Sequence, residues 1–282
     1  MRRPVGCDVM IIDAHQHFWL LKDRNGGWPP ADLEAIHRDF LPGDLVPEIA
    51  AAGVTGTVLV QSLPRVEDTR FMLGLAEKND FILGVVGWVD MKAADASKVI
   101  EDLAKSPKLK GLRPMLQDIE DENWIDDPAL EPAVETMIAH GLVFDALVME
   151  PHLSALHAFA RRHPSLPVVI DHGAKPRIAE GHFRDWRHAM LRLAELDNVC
   201  CKLSGLLTEA GDQDPRALRP YIETILELFG SQRVIWGSDW PVVNLAGSYS
   251  AWIAQCRKIV PGDEHNAVFG ENARRFYRLG GA

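Results

Sequence analysis

Cysteine is scarce in this chain: there are four in 282 residues, at Cys7, Cys200, Cys201 and Cys256, and none stands in a Cys-x-x-Cys spacing. That excludes a disulfide framework and gives no sign of a thiolate metal cluster. If Cys200 and Cys201 lie on a strand they point to opposite faces, and all four read as small, reduced core residues. Long apolar runs are missing as well. The basic start Met1-Arg2-Arg3-Pro4 is followed by the short run Val9-Met10-Ile11-Ile12 and then Asp13, too little for a signal-peptide core or a membrane span. The expectation is a cytoplasmic chain that meets no membrane. An excess of positive charge is lacking too: 30 Lys and Arg against 40 Asp and Glu leave a net charge of -10. A nucleic-acid or anionic-membrane partner is thereby disfavoured, and small molecules are the partners to expect. No repeat, low-complexity tract or linker divides the chain, so residues 1–282 read as a single domain. With 47% hydrophobic and 25% charged residues, it has ample material for a core. Nothing in the sequence sets the oligomeric state.

What is present is an alternation. Short β-branched runs occur at Val9–Asp13, Gly56–Gln61, Ile82–Val89, Lys110–Met115, Leu142–Val148, Pro167–Asp171, Val199–Leu203 and Arg233–Gly237. Between them lie amphipathic stretches such as Leu45–Ala52, Thr69–Lys78, Ala96–Ala104, Ala129–Ala139, Leu153–Arg162, Arg187–Leu196 and Leu218–Phe229, with a closing helical pair at Tyr249–Lys258 and Glu264–Tyr277. Alternating strand and helix implies parallel strands buried on both faces. Eight such units, in a length close to the roughly 250 residues of a barrel domain, predict an α/β fold of the (β/α)8 TIM-barrel class. Two long inserts, Phe18–Pro42 with Trp28-Pro29-Pro30 and Gln117–Asp127 with Trp124, follow strands and are either lids or plain surface loops.

In a barrel, chemistry sits at the carboxyl ends of the strands. Reading them in order gives His15 and His17, Gln61, Trp88 with Asp90, Arg113, then His172, Lys202 with Ser204, and Asp239. His15 and His17 are two apart and, with Asp13, share one strand parity, so they are expected to project together. Eleven histidines would supply about 0.4 His-x-His pairs by chance, so the pair gains meaning only from its context. Asp239 lies in Gly237-Ser238-Asp239-Trp240-Pro241, where Gly and Pro force a turn that presents the carboxylate across the barrel seam from the His pair. His172 precedes Gly173 and serves either the site or a turn. Arg113 either binds substrate or pairs with Asp118 or Glu120. Lys202 and Ser204 read as structural support. A rim of imidazoles, a guanidinium and a carboxylate can polarise a carbonyl, bind an anionic or polyhydroxylated molecule and activate water.

These stretches resemble the amidohydrolase superfamily, and within it the amidohydrolase-related branch of sugar lactonases that act on L-fucono- and L-rhamnono-lactones. The resemblance spans almost the whole chain. It rests on Ile12-Asp13-Ala14-His15-Gln16-His17-Phe18-Trp19, Arg38-Asp39-Phe40-Leu41-Pro42, Val58-Leu59-Val60-Gln61, Gly84–Asp90, Gly111-Leu112-Arg113, Asp171-His172 with Lys175-Pro176, Cys201–Leu206 and Gly237–Pro241. It implies a site formed by the first-strand His pair, the sixth-strand His and the eighth-strand Asp. The chain departs from the wider superfamily at the fourth strand, where Arg113 replaces a bridging carboxylated Lys or Glu, and at the fifth, where Leu147-Val148-Met149-Glu150 offers no His.

A metal would therefore have His15, His17 and Asp239, with His172 as a further donor, and a single divalent ion, zinc first, that is not essential. The function the resemblance implies is opening of an aldonolactone such as an L-fucono-, L-rhamnono-, L-arabinono- or L-galactono-lactone. Asp239 would activate water, while His15, His17, His172 and Arg113 stabilise the oxyanion. Gln61, Trp88, Trp28 and Trp124 would bind the sugar. The alternative is a metal-dependent hydrolase or decarboxylase acting on a carboxylated ring compound.

Overall fold

The computed structural model describes residues 10–24 and 26–280, so Cys7, Val9 and the basic start lie outside the described residues. Eight strands run in the order β1 to β8, each parallel to the next. They are β1 (Ile12–Gln16), β2 (Gly56–Val60), β3 (Ile82–Gly87), β4 (Leu109–Leu112), β5 (Val143–Ala146), β6 (Val168–Ile170), β7 (Val199–Leu203) and β8 (Val234–Trp236). The predicted (β/α)8 barrel is the observed one. Its seam is closed by backbone bonds from His17 N to Trp240 O at 2.7 Å and from Asp239 N to His15 O at 2.8 Å, which join the end of β1 to the loop after β8.

Strand alternation builds two apolar layers. Ile12, Ala14, Val58, Val60, Val86, Val143, Val169 and Ile235 form an inner cluster, while Leu59, Val85, Phe144, Val168, Ile170, Leu203 and Trp236 face the helices. Burial on both faces explains why the strands read as continuous apolar runs. The C-terminal segment plugs the barrel from below: Tyr277 and Leu279 join the inner cluster, and the Tyr277 hydroxyl donates to Asp145 Oδ2 at 2.8 Å.

The helices that cover the barrel are α1 (Pro42–Ala52), α2 (Val66–Ala76), α3 (Ala96–Leu103), α4 (Glu131–Ala139), α5 (Leu153–Arg162), α6 (Arg184–Ala194), the single turn α7 (Leu206–Glu209), α8 (Arg219–Phe229), α9 (Tyr249–Ile259) and α10 (Asn272–Phe276). Helix α9 shows how the sequence specifies them. Ser248 caps it, its Oγ accepting from Ala251 N at 3.2 Å, and Arg257 and Lys258 sit in the last turn against the helix dipole. Tyr249, Trp252, Ile253 and Cys256 make its buried stripe. The continuous helix expected over Glu264–Tyr277 is instead broken into a 3-10 turn, a π turn at Ala267–Glu271 and α10. The π turn carries Gly270 against the Met10 carbonyl, where a side chain would collide.

The cysteines bear out the expectation of reduced core residues where they are described: Cys200, Cys201 and Cys256 are free and buried, and burial pushes the Cys200 thiol up to about 12. No helix among the described residues is long and apolar enough to cross a membrane. The insert Phe18–Pro42 is tied at its base by reciprocal Trp19–Phe40 backbone bonds of 2.9 Å, and Phe18, Trp19, Ile36 and Phe40 belong to the outer core. Its base is therefore a packed wall of the barrel.

Candidate active site

The site begins with an irregularity in β1. The β1–β2 register shifts between Asp13 and Gln16, and a bulge of this kind re-aims the side chains beyond it. Ile12 and Ala14 face inward, so Asp13 faces the helices. There its carboxylate accepts from Ser238 N at 2.8 Å, Ser238 Oγ at 2.6 Å and the Tyr249 hydroxyl of α9 at 3.1 Å. After the shift, His15 and His17 both turn into the barrel mouth. The expected common direction of Asp13 and the two histidines is thus wrong for Asp13, which instead braces the β1–β8 seam.

Asp239 occupies the left-handed region at φ 59, a conformation that costs a residue with a Cβ and recurs at functional sites. Its Oδ1 lies 3.2 Å from His17 Nε2, 3.7 Å from His15 Nε2 and 3.9 Å from His172 Nε2. The other ring nitrogens are fixed from behind. His17 Nδ1 donates to the Val60 carbonyl at 2.8 Å, and His172 Nδ1 lies 2.9 Å from Ser204 Oγ. Burial lowers His15 well below the usual histidine range, Lys202 adding to the effect, and burial brings His172 down to about 4. Burial works to raise Asp239, but the three imidazoles outweigh it and hold the carboxyl far below the usual range. The pairing acts both ways, the carboxylate drawing the His172 imidazole up against its burial while the imidazoles draw the carboxyl down.

Beneath this rim runs a fully buried ionic chain. Lys202 Nζ lies 2.6 Å from Asp145 Oδ2, 3.0 Å from Asp171 Oδ1 and 3.1 Å from His15 Nδ1. Arg113 Nη1 lies 3.3 Å from Asp171 Oδ2 and 3.4 Å from His15 Nε2, and its Nη2 donates to the Gln61 carbonyl. The partner of Arg113 is thus Asp171, not Asp118 or Glu120. Lys202 and Ser204 support the histidines from below, as the sequence suggested.

Glycine is required where the backbone passes the histidines, and a Cβ on Gly205 (φ 63) would collide with His172 Nδ1. A Cβ on Gly237 would lie 2.6 Å from His15 Cβ and 3.0 Å from its backbone nitrogen, so only glycine lets the eighth strand pass this close to His15. Gly237→Ala is expected to cost about 1–3 kcal/mol in thermal unfolding through overpacking and to lower turnover at least tenfold by displacing His15. Unchanged stability and turnover would show that the seam has room.

A pocket of about 450 Å³ opens above Asp239, within the size range of small-molecule sites. His17, Arg113, His172 and Asp239 line it, as do Trp28, Met115, Gln117, Leu147, Lys175, Glu209, Val242 and Leu245. Of the four side chains expected to bind a sugar, only Trp28 is there. It packs edge-to-face on Trp19 at 5.3 Å, and the Arg24 guanidinium donates to its carbonyl at 3.1 Å. Gln61 is fully buried and donates to the Arg113 carbonyl at 2.7 Å. Trp88 is held through its backbone by Thr69 Oγ1 at 2.8 and 2.9 Å, and Trp124 lies beneath the Lys92 ammonium at 5.0 Å. These three lie outside the pocket lining. Gln117 and Glu209 line it without having been singled out in the sequence, and Lys175 figured there only in the resembling stretch Asp171-His172 with Lys175-Pro176, with no role of its own.

The donor atoms of His15, His172 and Asp239 all lie within 4.8 Å of one another, so His172 stands in the metal-competent trio for which the sequence favoured His17. His17 still bears on the fit. The Val60 carbonyl can only accept, so Nδ1 carries the proton and the Nε2 lone pair meets a carboxylate oxygen at 3.2 Å, a juxtaposition that calls for a proton or a cation between them. An N,N,O set of this kind suits a single divalent ion such as Zn²⁺.

A parallel (β/α)8 barrel with histidines after β1 and β6 and an aspartate after β8, gathered at the carboxyl rim around a polar pocket, defines a hydrolytic barrel protein. The chain belongs to the Amidohydrolase family, whose pattern matches residues 12–279. It is 54% identical to the L-fucono-1,5-lactonase of Burkholderia ambifaria over 95% of both chains. It is 36% identical to the L-fucono-1,5-lactonase of Burkholderia multivorans, covering 96% of this chain and 97% of the relative. A crystal structure of a Burkholderia multivorans amidohydrolase with bound zinc superposes with a TM-score of 0.89 at 35% identity, covering 96% of this chain and all of the other.

Proposed function

We propose that this protein hydrolyses sugar-acid lactones, six-membered 1,5-lactones of the L-fuconate type first among them, and that the ion its site can hold is an accessory. The observation that carries the reading is the convergence of three imidazole nitrogens on Asp239 Oδ1 at 3.2, 3.7 and 3.9 Å at the floor of a monosaccharide-sized pocket. The fuconolactonase relatives support the choice of lactone.

Water attacks the lactone carbonyl carbon as Asp239 removes its proton, and the carbonyl electrons move onto oxygen. The imidazoles of His15, His17 and His172 and the Arg113 guanidinium face that developing charge. Collapse of the tetrahedral centre breaks the bond to the ring oxygen, which takes the proton back from Asp239, and the open-chain hydroxy acid leaves. Trp28 covers the mouth of the pocket. His15, His172 and Asp239, with His17 beside them, would hold a divalent ion, which supplies Lewis acidity at the same carbonyl. A lactone is a more reactive acyl compound than an amide, so donors already on the chain suffice.

Acid release from a panel of L-fucono-, L-rhamnono-, L-arabinono- and L-galactono-lactones, with and without chelator, tests both parts. Turnover that survives chelation within about twofold is expected. Activity abolished by chelation and restored by Zn²⁺ or Mn²⁺ would make the ion essential, and turnover of none of the lactones would remove the lactonase reading.

A further inference from the structure

The loop after β6 holds four consecutive residues in the left-handed region: His172 (φ 55), Gly173 (φ 57), Ala174 (φ 63) and Lys175 (φ 49). Only one of them is glycine, and residues with a Cβ adopt such a run only when the surroundings hold them there. The turn opens on His172 and closes on Lys175, and both side chains line the same pocket. The Lys175 ammonium donates to Gln117 Oε1 at 3.1 Å and lies 3.5 Å from Glu209 Oε1 of the short turn α7. Gln117 and Glu209 line the pocket as well.

Resting on the lactonase reading above, we propose that Lys175 and Glu209 form a hydroxyl-reading clamp that selects lactones carrying neighbouring ring hydroxyls. An ammonium has three donors and a carboxylate about four acceptor positions. The Gln117 bond uses one donor, and the 3.5 Å separation from Glu209 is too long for a tight bond. Both groups therefore keep capacity on the cavity side. A sugar hydroxyl is at once donor and acceptor, so one hydroxyl can accept from Lys175 while its neighbour donates to Glu209. An unsubstituted ring offers neither. The partial exposure of the two side chains, 27% and 21%, leaves them reachable from the pocket while limiting competition from water. The apolar stretch of the wall, Met115, Leu147, Val242 and Leu245, cannot perform this discrimination. The clamp is thus the polar counterpart of the strained turn, which sets the substrate-reading group one short turn from His172.

The test compares the native protein, Lys175→Met and Glu209→Gln on L-fucono-1,5-lactone and on unsubstituted δ-valerolactone, with circular dichroism to confirm the fold. Lys175→Met is expected to lose tenfold or more in kcat/KM on the hydroxylated lactone, and Glu209→Gln severalfold, while both stay within twofold of native on δ-valerolactone. If δ-valerolactone turns over too slowly, its inhibition constant against the hydroxylated lactone takes the place of the rate and should not move. Equal losses on both lactones, or no loss on either, overturn the clamp and leave the lactonase reading intact. Turnover of neither lactone by the native protein overturns both.

Discussion

Asp239→Asn should lower kcat by about 10³-fold or more, within the span of general acid–base contributions enlarged by the loss of the charge on which the histidines converge, while the protein folds normally. The backbone of this loop holds itself: Asp239 N donates to His15 O at 2.8 Å, and Val243 N donates to Asp239 O at 2.9 Å. Neither bond needs the carboxylate. Asparagine is among the few residues that accept the left-handed region, so φ 59 is no obstacle to it. It keeps the shape and an oxygen that can face His17, but it cannot take a proton from water or carry the negative charge that the imidazoles surround. The loss should fall on kcat more than on KM, because the substrate contacts on the pocket walls remain. Steady-state kinetics with circular dichroism check the result. Turnover within tenfold of native would show that another group activates the water.

Much of this was legible because secondary structure and strand-end position are written in local periodicity. The eight apolar runs gave the barrel, and once it was in place His15, His172, Arg113 and Asp239 fell at its catalytic rim. What escaped depends on backbone irregularity or on long-range pairing. The β1 bulge separates Asp13 from His15 although they share parity, and nothing in Ile12-Asp13-Ala14-His15 marks it. Trp88 and Gln61 follow strands, as site residues do, yet the first is tied back by Thr69 on α2 and the second is turned onto Arg113. Lys175 shows the converse, a residue beyond the strand end brought back by a left-handed turn that no propensity favours.

The ionic chain under the rim is the largest such omission, and Lys202→Met is the variant that exposes it. Lys202 and Arg113 carry two positive charges against Asp145 and Asp171, so the barrel interior is neutral as a whole. Asp171 is held well below the usual range because Lys202, His15 and Arg113 together overcome its burial. Burial raises Asp145 to about 6 even with Lys202 beside it. Methionine in place of Lys202 leaves two fully buried carboxylates facing one guanidinium, with Tyr277 as the hydroxyl donor left to Asp145 at 2.8 Å. Breaking a buried pair by removing one partner typically costs about 3–5 kcal/mol, and thermal unfolding should show a loss of that order. His15 also loses the ammonium 3.1 Å behind its Nδ1, so turnover should fall with stability. Adding Asp145→Asn to Lys202→Met removes the stranded charge and should recover part of the stability but little of the turnover, because His15 stays unsupported. A single variant that melts with the native protein, or a double variant no more stable than the single, would show that the interior tolerates the charge. The contacts concerned join residues 57 and 187 positions apart, so folding must close nearly the whole barrel before the ammonium that braces His15 has its partners.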